Sequence, residues 1–515
     1  MIPGPNGEAV GTICTDPAEV DANVKHTYSS IYAGNIIGSP SAHAAAFISK
    51  YFPFIFNGPV FNVPPLTGTH LQEECTQGSY SAGGMDGWSP EDFSLLSLMA
   101  FEWLAELLNA IEGGMSWPSD LQHGRASFLA KGEEPSCDPL KYRILLLLPC
   151  LYRKWASTRL KHLAPWVESW ACEEMYAGVP GQGAEDAWWL TSLLLEHADL
   201  VGKKLTAAGV DLYKCFDQIN RTLAAMQLLA AGMPAGIVRA YMNFHDGLQV
   251  YNGLAGGLGS PYQKVMSIPQ GCPFSMMIIA LMLRPWIIMT RATNTIAPRV
   301  LADDLLLLGI GEGHIGAFHV AFNNTLEYMQ DMGAKISPTK SYIFSNDASI
   351  RKWFSTFRWK ALGVVIPVVL HLRDLGAHLN TSHANVGTTL TDRLRKCILK
   401  LTKLRFIPLD MDKKLQLITT NIFAGGLYGC EATYADESSL ARLATAILDS
   451  LGHTSSNRSP ELVFGMLKVE VEPVAAIFIR RMKMLRRMLC EHPQIQEGVQ
   501  YILEFAHQSL LSRHS

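Results

Sequence analysis

Two acidic positions occur where a carboxylate is costly to keep. Asp211 lies in Ala208-Gly-Val-Asp-Leu-Tyr-Lys-Cys-Phe-Asp217, and Asp303 and Asp304 interrupt the apolar run Val300-Leu-Ala-Asp-Asp-Leu-Leu-Leu-Leu308. Adjacent carboxylates in such a setting repel one another and resist desolvation unless a cation compensates. Mg²⁺ suits the role, because it takes oxygen ligands and is commonly held by one or two carboxylates with substrate phosphates completing its shell. A pair of such ions activates a hydroxyl nucleophile and stabilises the departing phosphate. An Asp-Asp pair by itself also suits a solvated turn at the end of a strand. What sets this one apart is its company, for the string Ser267-Ile-Pro-Gln-Gly-Cys-Pro-Phe-Ser275 lies between the two acidic positions.

The elements that must position these residues are legible in outline. Leu205–Leu212 reads as a buried strand carrying Asp211, and Arg299–Gly309 as two strands meeting at a tight turn that holds the Asp pair. A helix is predicted from Asn220, a good N-cap, to Gly232, a good stop. Leu248–Gly253 and Tyr262–Ser267 bracket a Gly-rich loop and predict a hairpin, after which Ser275 caps an apolar helix that Pro285 kinks or ends. Upstream, the pattern predicts a helix over Pro90–Glu112, strands over Leu121–Leu129 and Tyr142–Leu148, and helices over Tyr152–His162 and Ala184–Leu200. The first 80 residues, rich in Gly, Pro and Ser, read as loosely ordered, and the chain from about Asn380 reads as mostly helical. Strands alternating with helices around an acidic hairpin predict an α+β core with a helical C-terminal domain.

In this order, within about a hundred residues, the motifs resemble those of reverse transcriptases, most closely the non-LTR (LINE-type) retrotransposon kind. Asp211-x5-Asp217 with Phe216 resembles the first palm motif, Pro269-Gln-Gly-x3-Ser275 the second and Ala302-Asp-Asp304 the third. Further likeness covers roughly residues 80–380. It includes Ala82-Gly-Gly-Met-Asp-Gly-Trp88 ahead of the fingers, Lys131 and Arg143 before Leu145-Leu-Leu-Leu-Pro149, and Gly178–Asp186 in the next finger segment. Gly333-Ala-Lys-Ile-Ser-Pro-Thr-Lys340 resembles the fourth palm motif and Leu375-Gly376 the primer-grip turn. Two departures stand out. Leu301 replaces the aromatic residue of the third motif, and Arg143-Ile-Leu replaces an Arg-Pro-Ile.

The resemblance implies an α+β right-hand polymerase with fingers, a palm built on an antiparallel sheet and a helical thumb. It divides the chain into a loosely ordered extension (1–80), an N-terminal element and fingers (81–204), a palm with part of the fingers inserted (205–380) and a thumb or connection (381–515). Asp211, Asp303 and Asp304 would hold two Mg²⁺ ions, with Mn²⁺ as a possible substitute, and Asp304 need not touch both. Lys131 and Arg143 would neutralise the triphosphate. Phe216 would exclude the 2′-hydroxyl of a ribonucleotide, and Gln270 and Gly271 would line the nucleotide pocket. Lys340 would protonate the leaving pyrophosphate. The implied activity is RNA-directed DNA synthesis on an RNA template and DNA primer with dNTPs.

Bulk composition is compatible with this. Hydrophobic residues make up 48% of the 515 and charged residues 17%, enough to fill a large core. The net charge of −3 does not mark a nucleic-acid binder, so distribution matters more. Basic residues gather at Arg393, Arg395, Lys396, Lys400, Lys403 and Arg405, and again at Arg480, Arg481, Lys483, Arg486 and Arg487. Either group suits a helix face tracking a phosphate backbone, or a merely solvated one. The ten scattered cysteines form no zinc pattern, and no apolar run reaches the length of a membrane span. With no targeting signal recognised, the expectation is an intracellular protein, nuclear or cytoplasmic. An endonuclease, which LINE-type polyproteins carry, is expected from elsewhere or from a longer polyprotein. The remaining alternatives are an RNA-dependent RNA polymerase, a group II intron or retron enzyme, and a catalytically decayed fragment that binds RNA as a scaffold.

Overall fold

The computed structural model describes residues 14–76, 81–132, 136–254, 256–381, 387–452 and 458–513. Within the segment expected to be loosely ordered, residues 14–76 are largely helical, while residues 1–13 and 77–80 lie outside the described part. The Pro and Ser read there as breakers are N-terminal signals of helices. In helix α1 (Pro17–Tyr32) the Asp16 carboxylate accepts from the Ala18 and Glu19 amides, with Pro17 as the first helical residue. Ser39 and Pro40 repeat the arrangement for a helix over Pro40–Tyr51. Proline costs nothing at that position, because its missing N–H would have no partner there anyway. Tyr28, Ile31 and Tyr32 of α1 join the main core. The helix expected over Pro90–Glu112 is two, Pro90–Phe93 and Leu98–Gly113, because Ser97 caps the second afresh.

A four-stranded sheet follows. Strands β1 (His123–Ala130) and β2 (Tyr142–Leu147) run antiparallel with Leu129 opposite Arg143. Behind β2, the Asp86 carboxylate accepts from the amide of Cys150, the first residue of a helix over Cys150–His162. The Gly-x-Asp-Gly element therefore docks on a helix N-terminus, where a negative charge is favoured.

Helix α2 (Ala184–Leu200) leads into strand β3 (Leu205–Tyr213), and beyond the helix over Arg221–Ala230 come β4 (Gln249–Leu254) and β5 (Gly257–Leu258). The hairpin expected between Leu248–Gly253 and Tyr262–Ser267 is replaced by a tighter one. β4 pairs with β5 and, in parallel, with β1, and only Tyr262 bridges back, to Val250. The glycines at 256 and 257 permit the earlier reversal, Gly256 having φ +79°.

Helix α3 (Ser275–Arg291) carries Pro285 inside it and continues past it. Ser275 is not its N-cap. The Ser275 hydroxyl donates to the Pro269 carbonyl and closes the Pro269–Ser275 loop on itself. Then come β6 (Ile296–Leu301), β7 (Asp304–Ile310), β8 (Lys335–Ile336), β9 (Tyr342–Ser345), β10 (Val368–Val369), β11 (His371–Asp374) and β12 (Ala377–Asn380). The central sheet has the order β10-β9-β3-β7-β6, with β8 also pairing β3; all its pairs are antiparallel except β10 with β9. Its two faces lie in different cores. Ala208, Val210, Leu305 and Leu307 face the main core, whereas Ala207, Leu306 and Leu308 pack with Leu195 and Ala198 of α2 and with Leu372 and Leu379 of the β11–β12 hairpin.

From Thr388 on, the described chain is helical and has its own core. In helix α4 (Thr388–Leu404), Leu390, Leu394, Cys397, Leu401 and Leu404 alternate at four- and three-residue spacing and are all buried. That is the stripe a helix must hide. Helix α5 (Pro473–Glu491) packs Met484 and Met488 against Trp188 and Trp189 of α2. All ten cysteines are free thiols, seven of them buried. Among the described residues no helix is long and apolar enough to cross a membrane.

Candidate active site

The two acidic positions meet through strand register. Asp211 at the end of β3 stands directly opposite Asp304 at the start of β7. Leu301 also faces Asp304, so Ala302 and Asp303 form a two-residue turn between β6 and β7. Ala302 adopts φ +56°, the left-handed conformation that tight hairpin turns demand at about 1–2 kcal/mol for a residue with a Cβ. Side chains alternate along a strand, so Asp211 and Asp304 end the row on the α2 side of the sheet, while Asp303 sits at the tip.

Burial raises the proton affinity of all three carboxyl groups. It pushes Asp211 up, against the pull of Lys340 and Lys131. It pushes Asp303 up as well, with Asp211 adding and its own backbone amide, Arg143 and Lys131 opposing. Asp304 keeps contact with solvent, yet the protein around its carboxyl group, joined by Asp303, Asp374 and Asp211, pushes it up to about 7. The Asp211 Oδ1 atom is buried without a hydrogen-bond partner, and Lys340 Nζ lies 3.8 Å from it. A lone acceptor among repelling carboxylates is the environment a divalent cation relieves. Among the described residues no three His, Cys, Asp or Glu side chains converge on one point.

Cations ring this centre. Lys131, anchored through its amide to the Lys141 carbonyl at the end of the β1–β2 hairpin, lies within the field of Lys340, Arg143 and Asp211. Burial and the first two of these neighbours depress its proton affinity. Like charges held together favour binding of an anion. Lys131 and Lys340 thus act on Asp211, and Lys131 and Arg143 on Asp303.

Two residues that the sequence reading passed over, Lys214 and Tyr28, lie beside Lys131 and the β1–β2 hairpin. Lys214, three residues past Asp211, takes φ +48° and donates from Nζ to the Tyr28 hydroxyl (2.7 Å) and the Tyr142 carbonyl (2.9 Å). Burial, then Lys131, push it down to about 8. A lysine just past a strand-end aspartate was the available signal for Lys214. Tyr28 had none, because the segment carrying it was read as loose.

Phe216 is 6% exposed and packs into the main core. Its carbonyl accepts from the Ile268 amide at 3.0 Å, tying the single turn Cys215–Gln218 to the Pro-Gln-Gly string. The Gln270 carbonyl accepts from the Leu146 amide at 2.8 Å. Gly271 has φ +118°, and a Cβ there would fall on the Leu146 carbonyl oxygen. Its close approach is thus to strand β2, on two counts that glycine alone tolerates. Ser267, next to the string, holds φ +124° despite its side chain.

A cavity of about 210 Å³ opens beside the carboxylates. Asp211, Asp304, Lys340, Arg299, Asp374 and Leu375 are among the residues that line it.

The basic clusters divide. On α4, Arg395, Lys396 and Lys400 are exposed, with Arg395 3.4 Å from Asp392 and Lys400 3.4 Å from Asn421. Arg393 instead turns inward, donating to the Tyr428 carbonyl and lying over the Tyr428 ring. On α5, Arg480 pairs with Glu431, Arg481 donates to the Cys430 and Thr433 carbonyls, and Arg487 pairs with Asp186 of α2 at 2.7 Å. These three have protein partners, while Lys483 and Arg486 of the same group are exposed.

No curated protein matches the chain. Residues 131–366, a little under half of the chain, match the family model described as reverse transcriptase (RNA-dependent DNA polymerase), a family with the palm, fingers and thumb fold, and are similar to it to that extent.

Proposed function

We propose that the protein is the RNA-directed DNA polymerase of a non-LTR retroelement, extending a primer 3′-hydroxyl from dNTPs by two-metal nucleotidyl transfer. The observation that carries this reading is the register of β3, β6 and β7, which brings Asp211, Asp303 and Asp304 to one end of a sheet, where Lys131, Arg143 and Lys340 act on them. Asp211 and Asp303 are the principal metal ligands and Asp304 an auxiliary one. Bound Mg²⁺ supplies Lewis-acid polarisation of the attacking hydroxyl and charge neutralisation on the triphosphate.

The protein's own groups do the remainder. Lys131 and Arg143 hold the triphosphate while the primer 3′-oxygen bonds to the α-phosphorus and the bond to the bridging oxygen breaks. Lys340 supplies a proton to the pyrophosphate that departs. Phe216, with Gln270 and Gly271 behind it, closes the space beside the sugar and selects dNTPs. Arg395, Lys396 and Lys400 contact the backbone of the RNA–DNA duplex, with Arg393 bracing that helix from within. The Gly-x-Asp-Gly element at Asp86 and the helical C-terminal region support the LINE-type assignment. An endonuclease would come from a partner or from a longer polyprotein.

The test is primer extension on poly(rA)–oligo(dT) with dTTP and Mg²⁺, beside an Asp303→Ala control. Extension by the wild type alone is expected. A well-folded wild type that binds the duplex without extending it would replace this reading with that of a decayed polymerase acting as a scaffold.

A further inference from the structure

The cavity beside the carboxylates has a wall that belongs to none of the polymerase motifs' acidic or basic residues. Asp374 ends strand β11, and the turn after it, Leu375–Gly376, is tight, with φ of +46° and +90°. The Asp374 carboxylate reaches back to the central sheet, accepting at Oδ1 from the Tyr342 hydroxyl at 3.2 Å. Tyr342 in turn faces Gly209 across the β3–β9 pairing. The ring lies so close over that glycine that a Cβ at position 209 would fall inside it. Gly209 and Asp211 are two apart on β3 and so share a face.

A continuous path therefore runs from Asp211 along β3 to Gly209, across to the Tyr342 ring and through its hydroxyl to the turn. The far side of the turn is held independently, the Tyr428 hydroxyl donating to the Leu375 carbonyl at 3.4 Å. Asp374 is a poor choice for a purely structural acceptor. Burial raises its proton affinity, and beyond the Tyr342 hydroxyl only Arg299 offsets this. A neutral side chain would fill the space at lower cost.

We infer that Tyr342 and Asp374 are positioning residues whose hydrogen bond sets the distance between the Leu375–Gly376 turn and the carboxylates at Asp211, and thereby seats the primer terminus for attack. This rests on the polymerase reading above. The 3′-hydroxyl must come within reach of Asp211, and the cavity that adjoins Asp211 is lined also by Asp304, Asp374 and Leu375. The hydroxyl of Tyr342 thus acts on the geometry of the nucleophile and leaves the nucleotide's own contacts alone.

The test is steady-state and single-turnover extension by the full chain carrying Tyr342→Phe, Asp374→Ala, both together, or Asp374→Asn. Tyr342→Phe keeps the ring on Gly209 and removes only the hydroxyl. Since misplacing a reacting group by about 1 Å costs on the order of a hundredfold, the expected loss in kcat is about ten- to a hundredfold. KM for dTTP, duplex affinity and melting temperature should stay near wild type. The double variant should be no worse than either single one, and Asp374→Asn, whose amide oxygen still accepts, should recover most of the rate. An unchanged kcat in Tyr342→Phe overturns the inference, as does a loss that follows melting temperature or adds across the pair. A wild type that extends nothing overturns the polymerase reading instead, and the inference falls with it.

Discussion

The central sheet and the C-terminal helices treat their charges in opposite ways. In the sheet, residues far apart in sequence converge on one place, with Asp211 opposite Asp304 and Lys131, Arg143 and Lys340 within the field of Asp211 and Asp303. In the helices, residues that are neighbours in sequence are sent to different tasks. Arg393 turns inward while Arg395 and Lys396 face solvent, and Arg480, Arg481 and Arg487 are bound to protein partners. The difference follows from periodicity. Charges confined to an apolar strand have one exit, its end, so register alone collects them. Charges on a helix point through a full circle every 3.6 residues, and only the packing around the helix says which of them meet solvent.

The comparison breaks most sharply at Asp303. If the strand ends hold the chemistry, Asp303→Ala removes several kcal/mol of charge stabilisation, about a thousandfold or more in rate, with the fold retained by circular dichroism. Residual extension within tenfold of wild type would dissolve the contrast. A smaller effect is expected at Phe216, which is core as well as the proposed sugar gate. Phe216→Ala should raise incorporation of rNTP relative to dNTP by at least about tenfold, a discrimination worth about 1.4 kcal/mol, while costing about 3–5 kcal/mol of stability as a buried ring deleted from the core. An unchanged ratio in extension assays would leave Phe216 a packing residue only.

On the helical side, Arg395→Glu with Lys396→Glu should weaken duplex binding and lower its salt slope by about 2, leaving the melting temperature unmoved. Arg487→Glu should do the reverse, lowering the melting temperature through its lost pair with Asp186 and sparing the salt slope. Equal effects of both on binding would show that the two clusters do not differ. The smallest change expected is at Ser267, where φ +124° strains a residue with a Cβ. Ser267→Gly should stabilise the fold by about 1 kcal/mol, read as a rise in denaturant midpoint.

The sequence by itself determined the acidic strands and their cargo, though not the sheet partners beyond them. An apolar run broken by carboxylates is satisfied by a strand whose end meets water or a cation, and β3, the β6–β7 hairpin and α2 follow the predicted limits to within a few residues. It misled where one residue type serves two purposes. Pro and Ser at 16–40 marked helix starts in place of disorder, and Ser275 tied a loop where a cap was expected. Tertiary structure alone decided what touches what. It set Tyr28 on Lys214, Gly271 against β2 and Tyr342 between Gly209 and Asp374. Those contacts span tens to hundreds of residues in sequence, and the local hydrophobic and turn patterns that define an element carry no term for the partner it will meet.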